Sequence, residues 1–213
     1  MGKEFDTDVE LDDIVPEYYS SNDLVIAMFF KRLNIAAEYC DWVNTKRLLD
    51  VGCGAGFFID VVHKTCPEIN QLYGIDTNKY IEKLNFKDYA TFSKQDIHDI
   101  QFRGGTFDTV ACLDVLEHFR SIDKPVKELK RVLKKHGYLI VSGPTESIWY
   151  KLARFFIKGR FSEKTGPIAG SHYSNIIEID RQLTEVYGFK RMSRRQVRFL
   201  FMTLFHVNLY KKQ

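Results

Sequence analysis

The chain has 213 residues, of which 45% are hydrophobic and 28% are charged, and its formal net charge is +3 at pH 7. That length and apolar content favour one domain with a large buried core. No stretch reaches the ~20 apolar residues of a membrane-spanning helix, and the acidic start lacks the basic and apolar parts of a secretory signal, so we expect a cytoplasmic protein.

Apolar runs of strand length alternate with helical patterns along the chain. In order, we predict a helix over 20–43, a strand over 47–51, a helix over 56–66, a strand over 71–76, a short helix over 78–85, strands over 90–96 and 107–115, a helix over 124–137 that stops at a glycine, and a strand over 138–143. This alternation predicts βαβ units and a parallel sheet.

The end of the chain follows a different pattern. A helix over 176–189 is followed by strand-like stretches with no helix between them, which predicts an antiparallel pair that closes one edge of the sheet. The expected fold class is therefore α/β, a Rossmann-like doubly wound sheet of about seven strands, mostly parallel, with an antiparallel strand in the C-terminal hairpin. We expect one domain over 1–213, made of an N-terminal arm and helix (1–45), a cofactor-binding core (46–145), an insertion or cap (146–172) and a C-terminal helix and hairpin (173–213).

Charge and cysteine usage bound the classes of partner. Residues 1–119 hold 11 Lys and Arg against 21 Asp and Glu, whereas residues 120–213 hold 20 against 7. A basic half can face an anionic substrate, nucleic acid or a lipid surface, or its helix faces can simply be solvated. The four cysteines form no CxxC pair and several lie in apolar runs, so buried free thiols are expected rather than disulfides or a zinc site.

Three glycines at alternate positions, Gly52, Gly54 and Gly56, follow the first predicted strand and open a helix. Ligands of such folds bind at the carboxyl ends of the strands, where glycines let the backbone pass close to a cofactor. Asp76 ends the second strand and can accept hydrogen bonds from ribose hydroxyls. The loop reads GCGAG, so Phe57 stands where a dinucleotide fingerprint needs its third small residue. Asp50 beside the loop suits a cationic amino group better than a pyrophosphate, which favours S-adenosylmethionine (SAM).

Further segments occur in a matching order: GID, KQDIHDI, FDTVACLDVLEHF and LKRVLKKHGYLIVSGP. With the glycine loop, they make the chain resemble a class I SAM-dependent methyltransferase, and most closely the small-molecule group that contains the quinone-biosynthesis enzymes. The resemblance is strong over about 45–145 and looser over 170–190. It implies SAM as the cofactor and S-adenosylhomocysteine (SAH) as the product.

The resemblance also implies residue roles. Asp50 and the loop backbone at Gly52, Cys53, Gly54 and Gly56 hold the methionine end of SAM. Asp76 binds the ribose with Thr77 beside it, Asp96 and Ile97 meet the adenine, and Leu113 and Asp114 line the methionyl side. The alternative for Asp76 and Asp96 is helix capping or a solvent contact.

Methyl transfer is an in-line displacement, for which positioning supplies much of the catalysis, and a base is needed only if the acceptor loses a proton. His118, just past the fourth strand, is the candidate base; the alternative is a loop histidine that packs or binds backbone. The similarity to E-x-x-E-H metal sites raises Asp114, Glu117 and His118 as cation ligands, although Asp114 is one methylene shorter than the pattern, and no metal is assigned. Further candidates are His172 and Tyr173, with Tyr18 and Tyr19 as residues that could close over the site.

The segment 147–161 departs most from the family pattern. Lys151, Arg154 and Lys158 share one face of a predicted amphipathic helix, which fits a lid, a landing face for a lipid-like acceptor on an anionic membrane, or a packed cap. We expect methyl transfer to oxygen or carbon of a small molecule. The alternatives are an RNA methyltransferase, a SAM-binding regulator without catalysis and a protein methyltransferase. No nucleic-acid-binding module is recognisable in the sequence, so a nucleic-acid partner is disfavoured, and the oligomeric state is open.

Overall fold

A computed structural model describes residues 23–145, 173–199 and 202–213. It contains α1 (Asp23–Trp42), β1 (Arg47–Val51), α2 (Phe57–Thr65), β2 (Gln71–Asp76), β3 (Ala90–Lys94), β4 (Phe107–Leu113), α3 (Asp123–Val132), β5 (Leu133–Pro144), α4 (Ile176–Glu185), β6 (Phe189–Phe199) and β7 (Met202–Lys212). Short 3-10 helices cover Ile81–Phe86 and Leu116–His118.

The seven strands form one sheet in the order β3-β2-β1-β4-β5-β7-β6. Strands β1 to β5 pair in parallel, whereas β7 lies antiparallel between β5 and β6. This confirms the expected mostly parallel α/β sheet with an antiparallel strand in a C-terminal hairpin. The order of the strands places the carboxyl ends of β1, β2, β4 and β5 along one edge, where this class of sheet binds ligands.

Buried side chains form two clusters, one on each face of the sheet. The first cluster joins α1 and α2 to the sheet through residues such as Leu48, Ile140 and Val207. The second joins α3 and α4 to the opposite face through residues such as Leu49, Val110 and Leu139. Alternation of side chains along each strand feeds both clusters, so the sheet is covered on both faces as a doubly wound fold requires.

The helix predicted over 124–137 ends five residues early, at Val132. The chain then enters β5 directly, where Leu133 pairs with Phe107 and Tyr138 pairs with Thr109. A bulge takes up the extra residues and holds His136 at a φ of 63°. A β-carbon at Gly137 would lie 2.9 Å from the carbonyl oxygen of Asp108, so this glycine permits the close approach of β4 instead of stopping the helix.

All four cysteines are free and buried, as expected from the sequence. No helix in the described part of the chain is long and apolar enough to cross a membrane.

Candidate functional site

The glycine loop connects β1 to α2 through three left-handed residues. Gly52, Gly54 and Gly56 have φ angles of 74°, 52° and 77°, a region that strongly favours glycine. The backbone N–H groups of Gly52 and Cys53 donate to the carbonyl oxygen of Ile75 at 2.8 and 3.1 Å. These bonds tie the loop to the end of β2.

Side chains of neighbouring residues pack closely against the glycine loop. A β-carbon at Gly52 would lie 2.4 Å from Cγ2 of Val115, and one at Gly56 would lie 3.1 Å from the ring of Phe92. Packing therefore excludes a side chain at Gly52, and one at Gly56 would require the Phe92 ring to shift. The loop is held in one shape before any ligand is considered.

Asp50 lies directly before the loop and is 2% exposed. Among the described residues, its carboxylate has no hydrogen bond or ion pair. Burial, with a smaller contribution from the nearby charge of Asp76, raises the pKa of Asp50 to about 8. A buried carboxylate without a cation is costly in water-free surroundings, so the site is suited to a ligand that brings a positive charge.

Asp76, at the end of β2, connects two loops. Its Oδ2 accepts from the backbone N–H of Gly54 and its Oδ1 from that of Asn78, each at 2.9 Å. The carboxylate is half-buried, and the neighbouring Thr77 is exposed. Asp76 therefore aligns the glycine loop while a carboxylate edge remains near the surface.

Lys87 contacts the glycine loop through the carbonyl oxygen of Ala55. It is 7% exposed, and its Nζ lies 2.7 Å from both oxygens of Asp60 and 3.3 Å from the carbonyl oxygen of Ala55. Tyr89 donates a further hydrogen bond to Asp60 at 2.6 Å. This buried ion pair joins the glycine loop, the first turn of α2 and the segment before β3.

Asp96 and Ile97 follow β3. Ile97 is buried and belongs to the core beside α3, whereas the side chain of Asp96 is 58% exposed. The backbone N–H of His98 donates to Asp96 and the His98 ring lies 2.7 Å from it, which keeps the pKa of Asp96 below its usual value. Asp96 is thus ionised and accessible at the edge of the site.

Asp114 follows Leu113 at the end of β4 with a φ of 57°. Its carboxylate accepts from Oγ of Ser142 at 3.1 Å and forms an ion pair with Arg32 of α1. The Arg32 guanidinium is almost fully buried and lies over the rings of Phe29 and Phe205, at 4.2 and 4.4 Å from their centroids. This cluster fastens α1 to the carboxyl edge of the sheet.

Glu117 and His118 lie in the 3-10 helix after β4. Glu117 is 1% exposed, and the His118 ring is half-buried with its Nδ1 enclosed. In the ranges that the structure describes, no three His, Cys, Asp or Glu side chains assemble in a way that could hold a metal ion. The carboxylate of Asp114, the first residue of the possible cation triad, is engaged by Arg32.

Several candidates fall outside the described residues: Tyr18, Tyr19, His172 and the segment 147–161. Tyr173 is described, and its half-exposed ring packs against Arg120 with the guanidinium 5.1 Å from its centroid. Its backbone N–H donates to the carbonyl oxygen of Glu117 at 2.8 Å, which brings the start of α4 next to the candidate base.

Residues 49–141, which contain the loop and all five parallel strands in whole or part, match the family model described as a methyltransferase domain. This part of the chain is similar to a methyltransferase domain. This match confirms the resemblance identified from the glycine loop and the segments that follow it, and it supports methyltransferase as the enzyme class and SAM as the cofactor.

Two methyltransferases of quinone biosynthesis have the same sequence identity to this chain. The chain is 28% identical to a demethylmenaquinone methyltransferase of Bacteroides fragilis, over 61% of this chain and 56% of that one. It is also 28% identical to a ubiquinone biosynthesis O-methyltransferase of Vibrio campbellii, over 52% and 49%. The chain thus spans about half the length of the curated relatives it matches.

Among solved structures, the fold is similar to that of a magnesium protoporphyrin IX methyltransferase from Synechocystis PCC 6803, which was determined with bound SAH. The TM-score is 0.63 with 16% identity, and the match covers 91% of this chain and 89% of that one. At this identity the comparison establishes the shared fold.

Three buried polar residues near the site were not predicted from the sequence: Arg32, Lys87 and His206. Arg32 and Lys87 carry no local signal, because their partners Asp114 and Asp60 are remote in sequence. His206 did have a signal: HVNLY places three polar or amphipathic side chains at alternate positions of an otherwise apolar strand.

Proposed function

We propose that this protein transfers a methyl group from SAM to an oxygen or carbon atom of a small-molecule acceptor. The observation that carries the proposal is the buried carboxylate of Asp50, which has no cation among the described residues and adjoins a preformed loop of left-handed glycines. SAM brings an ammonium group, ribose hydroxyls and an activated methyl group on a sulfonium. These residues fit such a cofactor.

In this proposal, each part of the site contacts a different part of the cofactor. Asp50 pairs with the ammonium group, and the loop backbone at Gly52, Cys53, Gly54 and Gly56 lies along the methionine end. Asp76 keeps its bonds to the backbone N–H groups of Gly54 and Asn78 and accepts from the ribose hydroxyls with its remaining lone pairs, with Thr77 beside it. Asp96 accepts from the adenine amino group, and Ile97 packs on the ring edge. Leu113 and Asp114 bound the methionyl side.

His118 is proposed as the base for an acceptor that must lose a proton. It follows β4 at the same edge as the glycine loop, and the neutral ring can take a proton from a hydroxyl near neutral pH. An acceptor that is already ionised needs only positioning from this chain, since the displacement itself requires no further proton transfer.

The chemistry of the acceptor is proposed from the surroundings of Asp114. Phe29, Phe205 and Leu113 form an apolar border around the Asp114–Arg32 pair. An apolar ring that carries a hydroxyl group suits such a border better than a highly charged acceptor. The similarity to demethylmenaquinone and ubiquinone-pathway methyltransferases supports an acceptor of this kind.

The described basic residues offer little support for the RNA alternative. Arg191 and Arg194 both pair with Asp180, and Arg195 pairs with Glu38. These side chains on β6 already neutralise carboxylates and are not arranged as free phosphate contacts. RNA binding that weakens steeply with salt would nevertheless support that alternative, because phosphate contacts release counterions.

A peripheral contact with anionic membrane is proposed from the sequence of 147–161 alone. Each basic residue near an anionic bilayer contributes about 1 kcal/mol, and the apolar face adds to it. Vesicle sedimentation should show binding to anionic and not to neutral vesicles. Substitution of Lys151, Arg154 and Lys158 by Gln should abolish the difference and leave SAH binding unchanged. Failure of the protein to sediment with anionic vesicles at low salt would favour a lid over a soluble acceptor.

The central proposal is tested by calorimetry followed by an activity assay. We expect SAM and SAH to bind with micromolar dissociation constants and NAD not to bind. Label from methyl-labelled SAM should then enter a small molecule of a cell extract, which mass spectrometry identifies. NAD binding without SAM binding would overturn the cofactor assignment, whereas SAM binding without transfer to any small molecule would favour the regulator or a macromolecular acceptor.

A further inference from the structure

Strand β7 places three polar side chains on one buried face of the sheet. His206, Asn208 and Tyr210 alternate with the apolar residues of the strand, and all three are at least nine-tenths buried. Tyr210 lies in the core beside α3 and α4, which identifies the face. A helix-covered sheet face is normally apolar, and buried polar groups are destabilising unless they are hydrogen-bonded.

One end of this polar row is fully bonded. Asn208 donates through Nδ2 to the hydroxyl of Tyr210 at 2.9 Å, and Tyr210 donates to Oδ1 of Asp180 at 2.8 Å. Oδ2 of Asp180 accepts from Arg191 and Arg194, each at 2.5 Å. The network therefore fixes Asn208 with its amide nitrogen directed along the row, which leaves its oxygen for another partner.

The other end of the row contains polar atoms without hydrogen-bond partners among the described residues. Nδ1 of His206, Oδ1 of Asn208 and Oγ of Ser174 are buried and have no hydrogen-bond partner within the described ranges. Ser174 lies two residues before Ile176, which packs against Gly143, the pairing partner of His206, so the fold brings these atoms to the same part of the sheet. Buried polar atoms without a protein partner point to a ligand or to ordered water. Burial and the positive charges of Arg194 and Arg191 lower the pKa of His206 by more than the negative charge of Asp180 raises it. The ring is therefore neutral at pH 7 and offers one donor and one acceptor.

The open end lies at the edge of the sheet that carries the candidate site. His206 pairs with Gly143, near the carboxyl end of β5. A β-carbon at Gly143 would lie 3.4 Å from Cβ of Ile176 and 3.8 Å from Oε1 of Glu117, so the start of α4 and the 3-10 helix both pack against this glycine beside His206. Ser174 follows Tyr173, whose N–H bonds to the carbonyl oxygen of Glu117.

We propose that Ser174, His206 and Asn208 form the polar end of the acceptor pocket and bind a hydroxyl group of the methyl acceptor. The inference rests on the proposed function and assigns the acceptor's chemistry more closely. Oδ1 of Asn208 can only accept, so the ligand must donate a proton to it. A hydroxyl group both donates and accepts, whereas an ionised carboxylate or an ether has no such proton to offer.

The competing explanation is a set of structural waters that satisfy the same atoms. The two explanations differ in what replacement of the histidine does. If His206 serves a ligand, His206→Phe removes an unpaired buried group, and the protein keeps or gains stability while it loses acceptor binding. If waters bridge the group, the same change breaks a network and lowers stability.

The test uses the full chain with catechol as a hydroxylated probe and 1,2-dimethoxybenzene as the matched ether. NMR of histidine-labelled protein, saturated with SAH, follows the ring signals during titration with each probe. We expect catechol to shift the His206 signals and to bind at least about fivefold more tightly than the ether, since it supplies the missing donor. His206→Phe should remove that preference, measured by calorimetry, and leave SAH affinity within about twofold.

His63→Phe is the control. His63 lies on α2, away from β7, and its ring stacks on that of Tyr89 with the centroids 3.9 Å apart, a stack that phenylalanine can keep. It should leave the catechol preference intact. Ser174→Ala, in a half-buried segment, is a second variant should His206→Phe not fold, and it should reduce the preference by about threefold.

Equal binding of catechol and its ether, or a preference that survives both substitutions, would overturn the inference in favour of structural water. A lower melting temperature of His206→Phe with an intact catechol preference would do the same. Failure of the wild type to bind SAH would instead count against the proposed function. The preference for catechol, measured without SAH, would still decide the present inference.

Discussion

Oδ2 of Asp76 accepts a hydrogen bond from the backbone N–H of Gly54 at 2.9 Å, across 22 residues of sequence. The carboxylate proposed to bind ribose therefore also aligns the loop proposed to hold the methionine end. One side chain thus couples two parts of the cofactor site. Changes at Asp76 should act on cofactor affinity through both routes.

The first prediction concerns Asp76→Ala. The ribose hydroxyls lose a charged acceptor and Gly54 loses its bond, so SAH affinity should fall by about 1.5–3 kcal/mol, or roughly 10- to 150-fold. Calorimetry with SAH measures the change. Asp99→Ala, at an exposed position, is the control and should stay within about twofold. An equally small effect for Asp76→Ala would mean that the ribose is held elsewhere.

The second prediction separates backbone strain from steric conflict in the glycine loop. Gly105 has a φ of 69°, and no described atom lies within 4 Å of its would-be β-carbon, so Gly105→Ala should cost only the left-handed strain, about 1–2 kcal/mol. Gly52→Ala adds the 2.4 Å contact with Val115 and should cost about 1–3 kcal/mol more.

Urea unfolding of the two variants and of Gly52→Ala/Val115→Ala measures these contributions. The double variant should show a favourable coupling energy, because the shorter side chain removes the conflict while the strain remains. Purely additive effects would show that the loop relaxes away from Val115.

The third prediction concerns the buried pair beneath the loop. Lys87→Met leaves the Asp60 carboxylate without its cation, and the loss of one partner of a fully buried pair lowers the free energy of unfolding by about 3–5 kcal/mol. Because Asp60 is 24% exposed and keeps its hydrogen bond from Tyr89, we expect a loss of about 2–3 kcal/mol. SAH affinity should fall as well, since the carbonyl of Ala55 loses its anchor. Urea unfolding and calorimetry measure the two effects. Lys83→Met, at an exposed position, should change neither by comparable amounts.

The fourth prediction follows from the raised pKa of Asp50. In the folded protein Asp50 keeps its proton up to a pKa of about 8, whereas in the unfolded chain it releases the proton near its ordinary pKa of 3.8. Between these values the folded state binds more protons, so the contribution of Asp50 to stability is lost as pH rises, by up to about 1.4 kcal/mol per pH unit.

Urea unfolding at several pH values between about 5 and 8 tests the effect in wild type and Asp50→Asn. The wild type should lose stability relative to the variant across this range, because asparagine has no proton to release. Parallel curves for the two proteins would show that Asp50 is ionised throughout, despite its burial.

The fifth prediction links the same carboxyl group to the cofactor. If the ammonium group of SAH pairs with Asp50, binding near pH 7 must lower the pKa of Asp50 and release close to one proton. Calorimetry in two buffers with different ionisation enthalpies counts the protons. Asp50→Asn should release none and bind SAH more weakly. Binding without proton release in the wild type would place the ammonium group elsewhere.

Much of the architecture could be predicted from local sequence patterns. The strands predicted over 47–51 and 71–76 have the observed bounds, because buried apolar runs between turn signals specify parallel strands directly. The glycine loop was also recognisable, since a run of three left-handed positions strongly favours glycine.

Other features depended on contacts between remote parts of the chain. The pattern over 124–137 continues as a helix, yet the chain leaves it at Val132 because Leu133 pairs with β4. Arg32 meets Asp114 across 82 residues, and no local pattern specifies such a pair.

The chemistry of the candidate site divides in the same way. Its cofactor end is built from one loop and the residue after the next strand, so its spacing is visible in sequence. The cluster of Ser174, His206 and Asn208 exists only because an antiparallel β7 is inserted next to β5 and α4 covers that face. The tertiary structure buries these polar residues and leaves some of their atoms without partners. No local sequence pattern specifies that burial.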